Sequence, residues 1–299
     1  MTVPSTTAVP DLSVLTRPSG AFAMLAVDQR EALRAMFAEH QNEPVTDEQI
    51  TAFKVEAVRA LTPHASAVLL ERQFALDAVL DAGAIAPGCA LIAAADAFTA
   101  DEREFVAEVH IDEDVPTAWV KSVGGSAMKL LVLWRPDEGP EARVALVEDF
   151  VTRCRAAGLI SIIEPLSRGS RRGPAPTAEE WDAGVLAAAR ELGGLGADLY
   201  KAEVPLHGEG EEAGVRRGCA ALNEAIASPW VVLSSGVPHE LFPRAVRLAC
   251  AEGASGFLAG RAVWRQVVGA TDVPGALQQY AVPRLRELDE IVDAAMAGR

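Results

Sequence analysis

Eight apolar runs of strand length recur along this chain, and helical stretches separate most of them. The runs cover residues 22–29, 66–71, 89–95, 127–134, 159–165, 197–205, 230–236 and 255–261. Most are continuous rather than alternating, as expected of parallel strands covered on both faces. Residues 31–40, 47–63, 140–158, 178–196, 212–227 and 239–254 carry apolar positions at helical spacing. Gly158, Gly196 and Gly253 close three of those stretches, where a C-terminal stop belongs. Eight βα repeats in 299 residues favour a closed (β/α)8 barrel of the α/β class, a fold that typically takes about 250 residues. No linker interrupts the alternation. The expectation is one domain over residues 1–299, with a short irregular N-terminal segment.

Composition narrows the partners. A formal charge of −15 argues against nucleic acid and anionic membranes, which reward basic surfaces. No apolar run approaches the roughly 20 residues needed to span a bilayer. The N-terminus lacks the basic and apolar regions of a signal peptide. Cys89, Cys154, Cys219 and Cys250 are scattered without metal-ligand spacing and read as buried apolar residues in a reducing compartment. The expected location is the cytoplasm.

Lysine usage is the sharpest chemical signal. There are four lysines, Lys54, Lys121, Lys129 and Lys201, against twenty-three arginines. Lys129 and Lys201 sit inside apolar strand runs. A buried amine is costly unless partnered or used, and unlike arginine it can lose its proton and act as a nucleophile. Strand side chains alternate with period two, so Lys201 shares a face with Leu199, and Glu164 with Ile160 and Ile162. With those faces inward, Asp28, Lys129, Glu164 and Lys201 meet at the C-terminal mouth of the barrel, where such folds place their sites. Lys201 would attack a ketone and form a Schiff base. Lys129 would act as the nearby cation that lowers the proton affinity of Lys201, Glu164 would move protons, and Asp28 would bind hydroxyls or balance charge. A buried ion pair that only ties strands together is the bland alternative; it weakens with four charged residues on four strands.

A second signal is anion binding. Ser234, Ser235 and Gly236 end the seventh run, and Gly260 and Arg261 end the eighth. Small residues there let backbone N–H groups approach an anion, and Arg261 adds a bidentate cation. The five histidines show no ligand spacing, so no metal site is expected, and no serine sits in a GxSxG elbow. Asp96 either reaches the mouth or caps a turn. Arg168, Arg171 and Arg172 either bind a second anionic head or belong to a solvated loop or subunit contact. The acidic segment 99–119 reads as a solvated excursion, and the tryptophans as packing residues.

Segments 20–37, 128–135, 159–165, 197–206, 229–237 and 241–264 resemble the class I ketose-1-phosphate aldolases, a family that includes tagatose-1,6-bisphosphate aldolase. VDQRE (27–31), LVLWR (131–135) and SGFLAGRAVW (255–264) lean toward its sulfofructosephosphate branch, which acts in sulfoglycolysis. The resemblance runs from about residue 15 to the C-terminus. It implies a barrel, a homo-oligomer and no cofactor beyond a covalent Schiff base on Lys201. It also implies Glu164 as acid/base, Lys129 and Asp28 as its polar partners, and Ser234, Ser235, Gly236, Gly260 and Arg261 as phosphate contacts. Gln29 and Arg30 fall within a matched motif and are taken as substrate-binding. The implied reaction cleaves 6-deoxy-6-sulfofructose 1-phosphate to dihydroxyacetone phosphate and 3-sulfolactaldehyde. The alternatives are a tagatose- or fructose-bisphosphate aldolase, or a non-catalytic barrel that senses sugar phosphates.

Overall fold

A computed structural model describes residues 10–298; residues 1–9 of the expected irregular N-terminal segment, and Arg299, lie outside them. The strands, in chain order, are β1 (Phe22–Ala26), β2 (Ala67–Leu70), β3 (Ala90–Ala94), β4 (Asp96–Thr99), β5 (Glu108–Ile111), β6 (Gly125–Trp134), β7 (Ile160–Ser167), β8 (Leu199–Ala202), β9 (Trp230–Val232) and β10 (Gly256–Ala259). Eight of them close a parallel barrel in the order β1-β2-β3-β6-β7-β8-β9-β10 and back to β1, as the alternating sequence pattern implies. β4 and β5 form a separate antiparallel pair.

Period-two alternation sorts the strand residues into two apolar layers. Met24, Leu69, Ile92, Ile162, Leu199 and Leu258 fill the barrel interior. Their neighbours, among them Leu25, Val68, Leu130, Ile163 and Phe257, face outward into the larger core beneath the helices. A 3-10 turn at Leu12–Leu15, capped by Asp11, delivers Leu15 into the interior layer. The helices are terminated by local chemistry. Thr177 and Glu180 form a reciprocal capping box at the start of Ala178–Leu192. Thr46 caps Asp47–Leu61. Gly158, at φ 64°, ends Glu141–Ala157 in the left-handed conformation.

Two sequence expectations need correction. The run 230–236 is not all strand: β9 stops at Val232, and Ser234–Gly236 form a turn beyond it. The segment 99–119 is not simply a solvated excursion. Its first part completes the β4–β5 hairpin, in which Phe98 pairs with Val109. Phe98, Val106 and Val109 pack on an apolar rim made by Leu131, Leu166 and Leu233 above the barrel mouth. Burial of that rim offsets the cost of ordering so acidic a loop. Glu104 pairs with buried Arg135, which also donates to the Gly169 carbonyl at 2.8 Å, so the hairpin and the loop after β7 are tied together.

Candidate active site

A charged layer lies between the apolar barrel interior and the apolar rim. Lys129 on β6, Glu164 on β7 and Lys201 on β8 all point inward. Lys129 lies opposite Ile162 across β6–β7. Glu164 and Lys201 each lie two residues beyond the paired Ile162 and Leu199, which levels them with one another. Asp28 follows β1, and Asp96 opens β4.

The Glu164 carboxylate bridges both amines. Oε1 is 2.9 Å from Lys201 Nζ, and Oε2 is 3.0 Å from Lys129 Nζ. Lys129 Nζ is also 2.9 Å from Asp28 Oδ2 and 2.8 Å from Asp96 Oδ2. Lys129 is 1 % exposed, and burial alone would lower its pKa. Asp28, Asp96 and Glu164 overcome that penalty and push its pKa well above the ordinary lysine value. Lys129 is thus a cation surrounded by three carboxylates, and Asp28 balances its charge together with Asp96 and Glu164. Asp28 answers in kind. Burial would raise its pKa, but Lys129 and Lys201 together hold it below the usual carboxylate range.

Asp96 is the residue the sequence left between two roles, and the geometry decides it. Oδ2 accepts from Lys129 and, at 3.0 Å, from the Leu131 N–H. Arg30 donates to the Asp96 carbonyl at 2.7 Å and to Oδ1 at 3.2 Å, and its guanidinium lies 4.3 Å from the centre of the Phe98 ring. Asp96 thus couples the lysine cluster to the cation at the mouth. The sequence signal was its place at the end of an apolar run.

Above this layer opens a cavity of ≈ 650 Å³, within the usual range for small-molecule sites. Asp28, Lys129, Glu164 and Lys201 form its floor, and Gln29, Arg30, Ser234, Ser235, Gly260 and Arg261 lie along its wall. Arg261 donates to Ser235 Oγ at 3.1 Å. Arg261 lines the cavity, with Glu164 and Asp28 as longer-range electrostatic partners. Gly260 permits a close approach: a Cβ there would lie 2.5 Å from the Ala26 carbonyl oxygen. The loop arginines separate. Arg168 lines the cavity, whereas Arg171 pairs with Glu138 outside it. Gly236 is the one expected contact absent from the cavity wall; its Cα faces the ring of His207. Among the described residues no group of three or more His, Cys, Asp or Glu is placed to hold a metal ion.

The model of the DeoC/LacD family aldolases matches residues 22–266, most of the chain. The chain belongs to the DeoC/LacD aldolase family. It is similar to tagatose 1,6-diphosphate aldolase of Listeria monocytogenes, 28% identical over 309 aligned positions that cover 94% of this chain and 90% of the relative. Tagatose 1,6-diphosphate aldolase of Streptococcus agalactiae is 30% identical over 84% of this chain and 82% of its own length. Among solved structures, an archaeal fructose-1,6-bisphosphate aldolase superposes with a TM-score of 0.62 at 16% identity, covering 94% of this chain and 97% of its own. The fructose-bisphosphate aldolase of Plasmodium falciparum gives 0.66 at 14% identity, covering 95% and 92%. At these identities the structures share the fold.

Membership does not make every buried lysine of this aldolase chemical. Lys54 and Glu71 are fully buried and paired with each other. Glu71 also accepts from the Phe74 N–H at 2.9 Å and so caps the turn after β2. Burial pulls the Lys54 pKa down, and Glu71 partly offsets it. Neither side chain reaches the cavity wall.

Proposed function

We propose that this protein is a class I aldolase in which Lys201 forms a Schiff base with the C2 ketone of a ketose 1-phosphate. The observation that carries this reading is the Glu164 carboxylate held between Lys201 and Lys129 at 2.9 and 3.0 Å. Neutral Lys201 Nζ adds to C2, and the carbonyl oxygen becomes the carbinolamine hydroxyl. Glu164, in hydrogen-bond reach of Nζ, carries the proton that the nitrogen loses to that oxygen and then passes a second proton, drawn from the medium, to the hydroxyl, which leaves as water. The resulting iminium withdraws electrons from C3. When the C4 hydroxyl gives its proton to Glu164, the C3–C4 bond breaks, the aldehyde departs and the electron pair remains in the enamine. Glu164 then protonates C3, and water releases dihydroxyacetone phosphate. The iminium is itself the electron sink, so this sequence of steps calls for no metal or organic cofactor. Lys129, locked as a cation by Asp28 and Asp96, holds Glu164 in place and keeps its charge balanced as protons come and go.

Two cationic regions fit a substrate charged at both ends. Ser234, Ser235, Gly260 and Arg261 suit the C1 phosphate, and Gln29 and Arg30 suit groups further along the chain. We read the substrate as 6-deoxy-6-sulfofructose 1-phosphate, on the strength of VDQRE, LVLWR and SGFLAGRAVW. The relatives named tagatose 1,6-diphosphate aldolase favour a second reading, a ketose bisphosphate. Side-by-side cleavage assays separate them: equal or greater kcat/KM on tagatose or fructose 1,6-bisphosphate removes the sulfonate assignment. Borohydride trapping with dihydroxyacetone phosphate, followed by peptide mapping, tests the chemistry itself. A sugar-phosphate sensor would bind without turnover.

The same reading takes the chain as one domain that works as a homo-oligomer in the cytoplasm, with a small sugar phosphate as its partner. The buried thiols suit a reducing compartment: burial pushes Cys154 and Cys219 up to about 12, far from reactive thiolates. No helix among the described residues is long and apolar enough to cross a membrane.

A further inference from the structure

Leu206 and His207 are the only non-glycine residues with positive φ among the described residues, at 54° and 49°. They lie in the loop that follows the strand of Lys201, and Gly208 continues the left-handed path at φ 71°. L-residues avoid this region, so surrounding contacts must hold them there. Three such contacts are present. Asp182 Oδ1 accepts from the Leu206 N–H at 2.8 Å. Arg244 donates to the Gly208 and Gly210 carbonyls at 2.5 and 2.9 Å. The His207 ring stacks on Trp181, with centroids 3.7 Å apart.

The result of this strain is the position of one ring. His207 is pressed against Gly236, itself at φ 75°. A Cβ at Gly236 would lie 2.4 Å from His207 Nδ1 and 2.7 Å from Cε1. Nδ1 is buried and has no hydrogen-bond partner among the described residues. A polar ring is thus set down in a strained turn without satisfying its own nitrogen. Its contact is the turn that carries Ser234 and Ser235 to the cavity. Ser235 in turn is the hydrogen-bond acceptor of Arg261.

We infer that His207 is a positioning residue: its ring, clamped between Trp181 and Gly236, fixes the Ser234–Ser235–Gly236 turn in the form that receives the phosphate end of the substrate. This rests on the aldolase reading above. His207 does not line the cavity, so it acts only through the turn. Loss of the ring frees Gly236, and the two serines must then be ordered each time an anion binds.

The test uses the full-length protein and the borohydride trap at Lys201. In His207→Ala, half-saturation by dihydroxyacetone phosphate rises about tenfold, while that by unphosphorylated dihydroxyacetone moves less than about twofold. In cleavage, KM for the ketose 1-phosphate rises by the same factor, with kcat within about twofold of the parent. His207→Phe restores the stacked ring and recovers KM to within about threefold. Gly236→Ala weakens binding strongly in the parent, where the new methyl meets the ring. It costs several-fold less in the His207→Ala background, a non-additivity expected of direct contact. Equal shifts for the phosphorylated and unphosphorylated ketones, an unaltered KM in His207→Ala, or additive effects of the two substitutions would overturn the inference alone. Absence of trapping in the parent protein would sink the aldolase reading and this inference with it.

Discussion

Lys201 Nζ and Glu164 Oε1 stand 2.9 Å apart, on adjacent strands and at one level of the barrel. The amine that would become covalent and the carboxylate that would carry its protons are in contact before any substrate arrives. Lys201→Met removes the nucleophile and keeps the apolar stem. It is expected to lower kcat by a factor of about 10³ or more and to abolish borohydride trapping. Retention of cleavage at the parent rate would rule out Lys201 as the covalent residue.

Glu164→Gln separates proton transfer from packing. The amide still accepts from one lysine but carries no charge and moves no proton. General acid–base groups typically contribute about 10²–10⁴-fold, so kcat should fall by about that much while KM stays near the parent value. The covalent adduct should still form, more slowly, and be trapped by borohydride. A variant with parental kcat would transfer the acid/base role to another group.

Lys129 is expected to matter first for folding. Lys129→Met removes the cation that Asp28, Asp96 and Glu164 share, leaving only Lys201 on Glu164 and Arg30 on Asp96. Breaking a buried charge cluster from one side typically costs about 3–5 kcal/mol. The pH dependence has a definite sign. Asp28 has a depressed pKa, so its stabilising contribution is present above the ordinary carboxylate value near 3.8 and is lost as the medium becomes more acidic. Lys129 has a raised pKa, so its contribution is present below 10.5 and is lost only in strong base. In the Met variant Asp28 loses its main counter-charge and should titrate at higher pH. Denaturant melts of both proteins from pH 4 to pH 9 would show it: a variant curve parallel to the parent's would contradict the cluster's role.

The barrel, and the meeting of Asp28, Lys129, Glu164 and Lys201, were legible because both follow from short-range pattern. Continuous apolar runs imply strands covered on two sides, and period two places each charged residue on the face of its apolar neighbours. What pattern could not supply came from tertiary cover. The β4–β5 hairpin exists because Phe98, Val106 and Val109 cover Leu131, Leu166 and Leu233, which lie far off in sequence. Asp96 acquires its role from Lys129 and Arg30, not from its neighbours. Gly236 looked like a phosphate contact from its tripeptide, yet its partner is a ring placed there by a left-handed turn. Lys54 shows the limit of the lysine argument: it is as buried as Lys129, but it is answered by Glu71 and closed off from the cavity.

Glu203 gives a second pH signature of opposite sense. It is 2 % exposed, and Oε2 accepts from the Ser167 N–H at 2.7 Å. Burial pushes its pKa up from 4.5 to about 7; Arg168 and the Ser167 N–H offset part of that, and Glu164 adds to it. An acid raised in the folded state costs stability as pH climbs, because the unfolded chain ionises first. The loss begins above pH 4.5 and is complete above about 7. Glu203→Gln keeps an acceptor for Ser167 and removes the titration. It should leave stability unchanged near pH 4 and raise it at pH 8 by on the order of 2 kcal/mol. A gain of equal size at both pH values would mean that Glu203 titrates alike in the folded and unfolded chains and that the substitution acts through packing.

The Lys54–Glu71 pair provides a prediction in which stability and catalysis part company. Lys54→Met leaves the Glu71 carboxylate buried without its cation, and its remaining partner is the Phe74 N–H. The expected cost is about 3–5 kcal/mol of folding stability. Adding Glu71→Gln to that variant removes the stranded charge but keeps an acceptor for Phe74, so most of the loss should return. Neither residue lines the cavity, so kcat and KM of the folded double variant should lie within about twofold of the parent. If the double variant is as unstable as Lys54→Met alone, the cost comes from lost packing rather than from an uncompensated charge. If it folds normally but turns over far more slowly, the pair acts on the site through Asp28 and Arg30, the charges to which Lys54 is electrostatically coupled.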